Sequence, residues 1–194
     1  IKCSCSNGLT LFFESCVCTA CGRVVGVTEE ETCAQSFNYE AESDTYWLDS
    51  KPTKLYKKCI NNNHLHVCNG MVPLGAEDAQ GQPIELCFYC RFTDIIPNLY
   101  IPEHIPLWAK METAKRRALH TIKSLQLPLL SRHECVDTGL VFNFCVDRDA
   151  KDHFETPLDG EEQVFTGHDN GCITINLAEA DDVARSRSQL RLNE

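Results

Sequence analysis

The stretch "KCSCSNGLTLFFESCVCTACGRVVG", residues 2–26, contains two closely spaced cysteine pairs. One pair has CxC spacing and the other has CxxC spacing, and their members are Cys3, Cys5, Cys18 and Cys21. The two sulfurs of such a pair can occupy two corners of a tetrahedron while the chain turns tightly, which is typical of zinc thiolate sites. Cys16 leaves open a pairing with Cys18, although Gly22, directly after Cys21, favours the CxxC pair.

The residues between these pairs predict a short hairpin. Residues 9–14 predict a strand, and Gly8 and Gly22 supply the flanking turns, because glycine adopts positive φ without strain. A segment of this size cannot build an apolar core, so a bound metal would supply most of its stability. We therefore predict a zinc ribbon over residues 1–27.

A second cysteine group lies within residues 51–97. It consists of one widely spaced pair and one CxxC pair, with Cys59, Cys68, Cys87 and Cys90 as its members. His64 and His66 lie between the first two cysteines, so a site with three cysteines and one histidine stays open. Four protein ligands would close the site to water, and this closure predicts a structural rather than a catalytic metal.

The cysteine content as a whole allows two interpretations. The chain has 13 cysteines, which would form a disulfide framework in a secreted protein and zinc thiolates in a cytosolic one. The CxC and CxxC spacings favour zinc. We therefore expect about two zinc ions and a cytoplasmic location, with buried or disulfide-bonded cysteines as the alternative.

Charge and hydropathy narrow the class of partner. The formal net charge is −10, and the one basic cluster, Lys115 to Arg117, is short, so phosphate neutralisation on a nucleic acid is disfavoured. No apolar run approaches the roughly 20 residues that a membrane helix needs. We therefore expect a protein or peptide partner, and neither nucleic acid nor membrane.

The remaining segments predict an α+β fold. Residues 28–50 are acidic and predict a linker. From Pro106 onward, apolar residues at helical spacing predict a helix that ends before Pro128. The basic residues of its polar face are Lys110, Lys115, Arg116 and Lys123.

The last third of the chain predicts strands and a second helix. Residues 139–146 and 172–177 predict strands, and the sequence "GHDNG" before the second one predicts a turn. A charged loop is expected between the strands, and residues 178–194 predict a helix with acidic residues early and arginines late. Residues 98–194 therefore predict a helix followed by part of an α+β domain.

Several of these motifs together resemble one bacterial family, in which a zinc-ribbon domain precedes a zinc-binding metallopeptidase domain. They include "CINNNHLHVCNGMVP" at 59–73, "LCFYCRFTDIIPNL" at 86–99, "LWAKMETAKRRALHTI" at 107–122 and "FTGHDNGCITINLAEADD" at 165–182. The resemblance covers nearly the whole chain. It implies an HExxH helix soon after the last motif, and no HExxH occurs in the sequence. We therefore expect the N-terminal portion of such a protein, lacking the catalytic region.

Two segments were considered as catalytic centres, and neither is assigned. His133 is followed by Glu134, but Cys135, Val136 and Gly139 disfavour the helix that would put a second ligand on the same face. His168 and Asp169 fall in the expected turn. The alternative interpretation is that residues 173–177 form an edge strand that lines a substrate cleft, with His168 near the mouth of that cleft.

Two functions follow from the sequence. The first is the zinc-binding front of a zinc-dependent metallopeptidase, with two structural sites and no catalytic motif. The second is a non-enzymatic zinc-ribbon module that binds a protein partner.

Overall fold

The computed structural model of the chain describes residues 1–31, 33–147, 164–183 and 185–186. Two compact units are distinguished. One comprises residues 1–91 and 116–127, and the other comprises residues 92–115 and 128–194. Strands and helices occur in both units, so the predicted α+β class is confirmed.

The first unit contains an antiparallel five-stranded sheet in which each strand pairs with the next one along the chain. Its strands are β1 (Val24–Gly26), β2 (Gln35–Glu40), β3 (Thr45–Leu48), β4 (Lys51–Lys58) and β5 (Met71–Pro73). A short helix, α1 (Ile60–Asn63), follows β4. The core of the sheet is aromatic, with the rings of Phe37 and Tyr56 meeting edge to face at 5.5 Å between centroids.

The prediction that residues 28–50 form an acidic linker is wrong, because this segment contains β2 and β3. Phe37 and Tyr46 are 1% and 5% exposed and pack in the core, so the segment has an apolar face. Three of its seven acidic residues lie in the loop before β2, where Glu30 and Glu31 both accept from Lys51 of β4. The many acidic residues of this segment made the apolar pattern of β2 and β3 difficult to recognise in the sequence.

The prediction of a regular strand at residues 9–14 is also wrong. This segment forms an isolated bridge between Lys2 and Thr10, with backbone hydrogen bonds from the Cys3 amide to the Leu9 carbonyl at 2.8 Å and from the Leu11 amide to the Ile1 carbonyl at 2.7 Å. Both expected turns are present, since Gly8 and Gly22 have φ values of 52° and 72°. The ribbon is therefore built from turns and bridges rather than from a regular hairpin.

The second unit contains a mixed four-stranded sheet of order β6-β7-β9-β8. Its strands are β6 (Thr93–Ile95), β7 (Val141–Cys145), β8 (Gly167–Asp169) and β9 (Cys172–Asn176). β6, β7 and β9 are parallel, and β8 is antiparallel to β9. The two strands expected at residues 139–146 and 172–177 correspond to β7 and β9, which confirms both.

The "GHDNG" segment is a strand as well as a turn. Its first three residues form β8, and Asn170 and Gly171 turn the chain with φ values of 44° and 81°. Two such residues with positive φ are the favoured connection of a tight hairpin. Because β9 pairs with β7 on one side and β8 on the other, it is not the edge strand that was considered as a substrate platform.

The long helix predicted from Pro106 is confirmed as α2 (His104–Ser124). Its predicted polar face is wrong at two positions, because Lys115 and Arg116 are each only 3% exposed. Lys115 forms an ion pair with Glu112 at 2.7 Å, and the side chains of both are fully buried. Buried charges of this kind need a partner, and helical periodicity alone does not show where one is available.

The segment after β9 begins with a 3₁₀ helix, Leu177–Ala180, capped by the Asn176 side chain, which accepts from the Ala178 amide at 2.9 Å. Most of the expected helix at 178–194 and of the expected charged loop before β8 lies outside the described residues. In the described part of the chain, no helix has both the length and the apolar character needed to cross a bilayer.

Candidate metal centres

The first candidate centre brings together four cysteines of the N-terminal ribbon. The Sγ atoms of Cys3, Cys5, Cys18 and Cys21 all lie within 4.8 Å of one another. The distance between the sulfurs of Cys3 and Cys21 is 3.7 Å. A zinc tetrahedron with Zn–S bonds of about 2.3 Å has sulfur–sulfur edges of about 3.8 Å, whereas a disulfide requires about 2.05 Å. The cluster therefore has the dimensions of a tetrathiolate metal site.

Tight turns position these four sulfurs. The Gly8 amide donates to the Cys5 carbonyl at 3.0 Å, and the Gly22 amide donates to the Cys18 carbonyl at 2.8 Å. Both glycines adopt positive φ, which a side chain would strain. The chain therefore turns tightly at each cysteine pair, and the two sulfurs of the pair lie close together.

Two thiols of the first cluster differ in acidity. Burial raises the pKa of Cys3, but hydrogen bonds from Ser36, Cys5 and Cys18 outweigh burial and lower it to about 6. The Arg23 backbone amide lowers the pKa of Cys21, but burial and the neighbouring thiols together raise it to about 11. A cation among the four sulfurs would favour the thiolate form, because opposite charges attract.

The second candidate centre is formed by the cysteines of the second predicted group. The Sγ atoms of Cys59, Cys68, Cys87 and Cys90 lie within 4.8 Å of one another, and all four residues are buried. The Cys87 amide donates to the Cys59 sulfur at 3.3 Å, and the Cys90 amide donates to the Cys87 carbonyl at 3.0 Å. These bonds form a tight turn around the CxxC pair.

Gly70 lets the chain approach this cluster closely. Its carbonyl accepts from the Cys59 amide at 3.0 Å, which joins the end of β4 to the start of β5. A Cβ at this position would overlap both the Cβ and the Sγ of Cys87. Only a glycine therefore leaves room for the sulfur of Cys87.

Three thiols of the second cluster also differ in acidity. Hydrogen bonds from Cys59, Cys68 and Cys90 lower the pKa of Cys87 well below its ordinary value; burial opposes them and the charge of Arg116 reinforces them. The pKa values of Cys68 and Cys90 are raised, through their hydrogen bonds to neighbouring cysteines and their burial. Four sulfur donors in a closed set fit zinc, which prefers tetrahedral thiolate coordination.

The structure brings together all eight cysteines predicted as ligands and leaves the alternatives outside. His64 and His66 are exposed and belong to neither cluster. Cys16 is exposed, and its thiol donates to the Glu14 carbonyl at 3.5 Å. Within the described residues, no further group of three or more His, Cys, Asp or Glu side chains has metal-binding proximity.

The catalytic candidates of the sequence are not arranged as a centre. The segment around His133 is a turn rather than a helix, as predicted. Glu134 accepts from both the amide and the hydroxyl of Ser131 at 2.8 Å, so its carboxylate holds that turn. His168 and Asp169 are exposed on β8.

Sequence reasoning missed the residues that surround the second cluster. Asn69 and Arg116 are 1% and 3% exposed and are hydrogen-bonded to each other. A buried arginine on an amphipathic helix carries no sequence signal that separates it from a solvated one. The need for glycine at position 70 was only weakly indicated by the sequence, because Gly70 lies two residues after Cys68 in a short turn-like segment.

Comparison with known families agrees with this geometry. A zinc-ribbon domain family matches residues 1–101, and a family described as "Putative zinc-binding metallo-peptidase" matches residues 104–194. The chain therefore belongs to the zinc-ribbon domain family, and its residues 104–194 are similar to the metallopeptidase family. The resemblance noted in the sequence motifs is confirmed.

Similar proteins are found in mycobacteria. Uncharacterized proteins of Mycobacterium tuberculosis and Mycobacterium bovis are each 31% identical to this chain over 191 residues. The matched region covers 98% of this chain and 47% of each relative, so the chain spans about half the length of these relatives. No solved structure matches the chain significantly.

Proposed function

We propose that this chain is a zinc-binding part of a zinc-dependent metallopeptidase, with two structural tetrathiolate sites and no HExxH motif in its sequence. The observation that carries the proposal is the convergence of eight cysteine sulfurs into two closed sets of four. A catalytic zinc site keeps a position open for water, and a set of four protein ligands leaves none. Bound zinc would cross-link distant parts of the chain in each cluster.

The ligands of the first ion are Cys3, Cys5, Cys18 and Cys21, and those of the second are Cys59, Cys68, Cys87 and Cys90. Thiolate sites of this kind persist where thiols stay reduced, which supports a cytoplasmic location. The match of residues 104–194 to the metallopeptidase family supports the enzymatic context.

Elemental analysis of the protein purified without added metal tests the metal assignment. We expect two zinc ions per chain, one after Cys87→Ser, and two after the control Cys16→Ser, because Cys16 is exposed and outside both clusters. A folded, metal-free chain with its cysteines in disulfides would contradict the assignment.

The second function, a non-enzymatic module that binds a protein or peptide, is favoured by apolar exposure on the ribbon. Phe12 is 71% exposed and Val17 is 49% exposed. Aromatic side chains of this kind are frequent anchors of protein interfaces. A peptidase assay on the full natural gene product separates the two functions. Chelator-sensitive cleavage supports the first, and inactivity at full zinc occupancy supports the second.

A further inference from the structure

Arg116 is a buried positive charge in the unit that contains both cysteine clusters. Its guanidinium carbon lies 5.1 Å from the centroid of the Phe13 ring and 5.8 Å from that of Tyr89. Its Nη2 donates to Asn69 Oδ1, and its buried Nε has no hydrogen-bond partner among the described residues. The neighbouring Arg117 differs, because its side chain is 65% exposed and is paired with Glu14.

A guanidinium in this position is costly without a compensating charge. Desolvation of an ion costs several kcal/mol, and contacts with aromatic faces return about 2 kcal/mol when desolvated. Four thiolates around one zinc dication carry a net charge of −2, which is itself costly to bury. Arg116 contacts two residues that adjoin cysteines of the second cluster in sequence, namely Asn69, which follows Cys68, and Tyr89, which precedes Cys90. All four cysteines of that cluster are buried. Each charge therefore offsets the burial cost of the other.

Arg116 also fixes the orientation of the chain beside the cluster. Asn69 lies between Cys68 and Gly70 in sequence, and its Oδ1 accepts from Arg116. Its Nδ2 donates to the carbonyls of Phe13 and Ser15, both at 2.8 Å. Three hydrogen bonds thus hold one side chain, and with it the backbone that follows Cys68.

We propose that Arg116 is a positioning residue for the second zinc site, balancing the negative charge of the four thiolates and orienting the backbone after Cys68 through Asn69. The proposal rests on zinc binding at that cluster, as proposed above. It predicts that the charge of Arg116, and not only its packing, sets how firmly the second site holds its metal.

Two substitutions separate charge from packing. Arg116→Lys keeps a positive charge, and Arg116→Gln removes it while keeping a hydrogen-bond donor. Arg117→Gln is the control, because it removes the same charge from an exposed position on the same helix. The zinc-loaded protein is treated with a chelator and an alkylating reagent, and the alkylation rate at each cysteine is measured by peptide mass spectrometry.

Arg116→Gln should accelerate alkylation of the second cluster by about 10- to 100-fold, the usual effect of losing a residue that supports a metal ligand. The expected sites of acceleration are Cys59, Cys68, Cys87 and Cys90. Arg116→Lys should stay closer to the parent, and Arg117→Gln should match it. Equal rates for the Gln and Lys variants, or a Gln variant at the parent rate, would overturn the inference. A parent protein that holds no zinc would instead contradict the proposed function.

Discussion

The two cysteine clusters have the same donor set but differ in how the chain encloses them. In the second cluster all four cysteines are buried, whereas in the first Cys21 is exposed and Cys5 is only half-buried. The second is attached to regular structure, since Cys59 directly follows β4 and its amide donates to the carbonyl of Gly70, just before β5. The first is held by turns and isolated bridges. The same set of four cysteines therefore has two structural roles. The second cluster is part of a buried core, whereas the first cluster takes the place of a core in a segment that is too small to build one.

The buried cluster should be the more costly to break. We expect Cys87→Ser to remove the second zinc ion and to destabilise the sheet of the first unit by more than about 4 kcal/mol, the range reached when a buried metal is lost. Met71 of β5 lies in the aromatic core, so disorder at the cluster should reach that core. Amide hydrogen exchange at β2 and β4 measures the effect. Protection at the parent level would show that the sheet does not depend on this site.

Loss of the first, more exposed zinc site should unfold only the N-terminal ribbon. We expect Cys21→Ser to reduce amide protection in the ribbon by at least about 100-fold, because zinc contributes on the order of 10 kcal/mol to modules of this size. The amides of Cys3 and Leu11, which donate to carbonyls within the ribbon, report on this loss. α2 should keep its protection, since it has its own buried face with Trp108 and Leu119. Unchanged ribbon protection would count against the first site, and loss at α2 would contradict local failure.

The two clusters and their surroundings also show which structural features can be predicted from the sequence and which cannot. Six of the eight clustered cysteines were predictable because CxC and CxxC spacing is a local property of the chain, whereas Cys59 and Cys68 are widely spaced and gave a weaker indication. The aromatic strands β2 and β3 were missed because acidic residues before, within and after them suggested a linker. Lys115 and Arg116 were assigned to solvent, since a helical pattern shows which residues share a face but not whether a buried charge there will find partners. Lys115 is paired with Glu112 on the same helix, but its bond to Thr93 and the bond from Arg116 to Asn69 join residues more than 20 positions apart.

A smaller perturbation tests the packing of the buried cluster without removing a ligand. We expect Gly70→Ala to destabilise the second site by about 1–3 kcal/mol, the usual cost of overpacking, because its Cβ would displace the side chain of Cys87. The readout is the rate of zinc loss to a chelator, which should rise while the first ion stays bound. Gly167→Ala is the control, since nothing lies within 4 Å of a Cβ there. Equal zinc retention in both variants would show that Cys87 can move without losing the metal.

The smallest expected effect concerns the polar network beside the exposed cluster. The carboxylate of Asp49 accepts from Ser4 at 2.6 Å, from Asn38 at 2.6 Å and from Arg23 at 2.9 Å. The hydrogen bonds from Ser4 and Asn38, with that of Arg23, outweigh burial and lower the pKa of Asp49 to about 2. Because the folded pKa lies below the ordinary value of 3.8, the ionised carboxylate stabilises the fold above about pH 4. This contribution is lost as the pH falls toward 2.

We therefore expect Asp49→Asn to destabilise the ribbon at neutral pH by at most about 1 kcal/mol, since the side chain of Asp49 is 48% exposed and solvent screens the interaction. The difference in unfolding free energy between variant and parent should stay constant from pH 8 to about pH 5 and narrow below pH 4. Acid also releases zinc, but it does so in both chains, so the difference isolates the carboxylate. A difference that does not change with pH would show that Asp49 acts through geometry alone. In that case its partner Ser4, which lies between Cys3 and Cys5, would be held equally well by an amide.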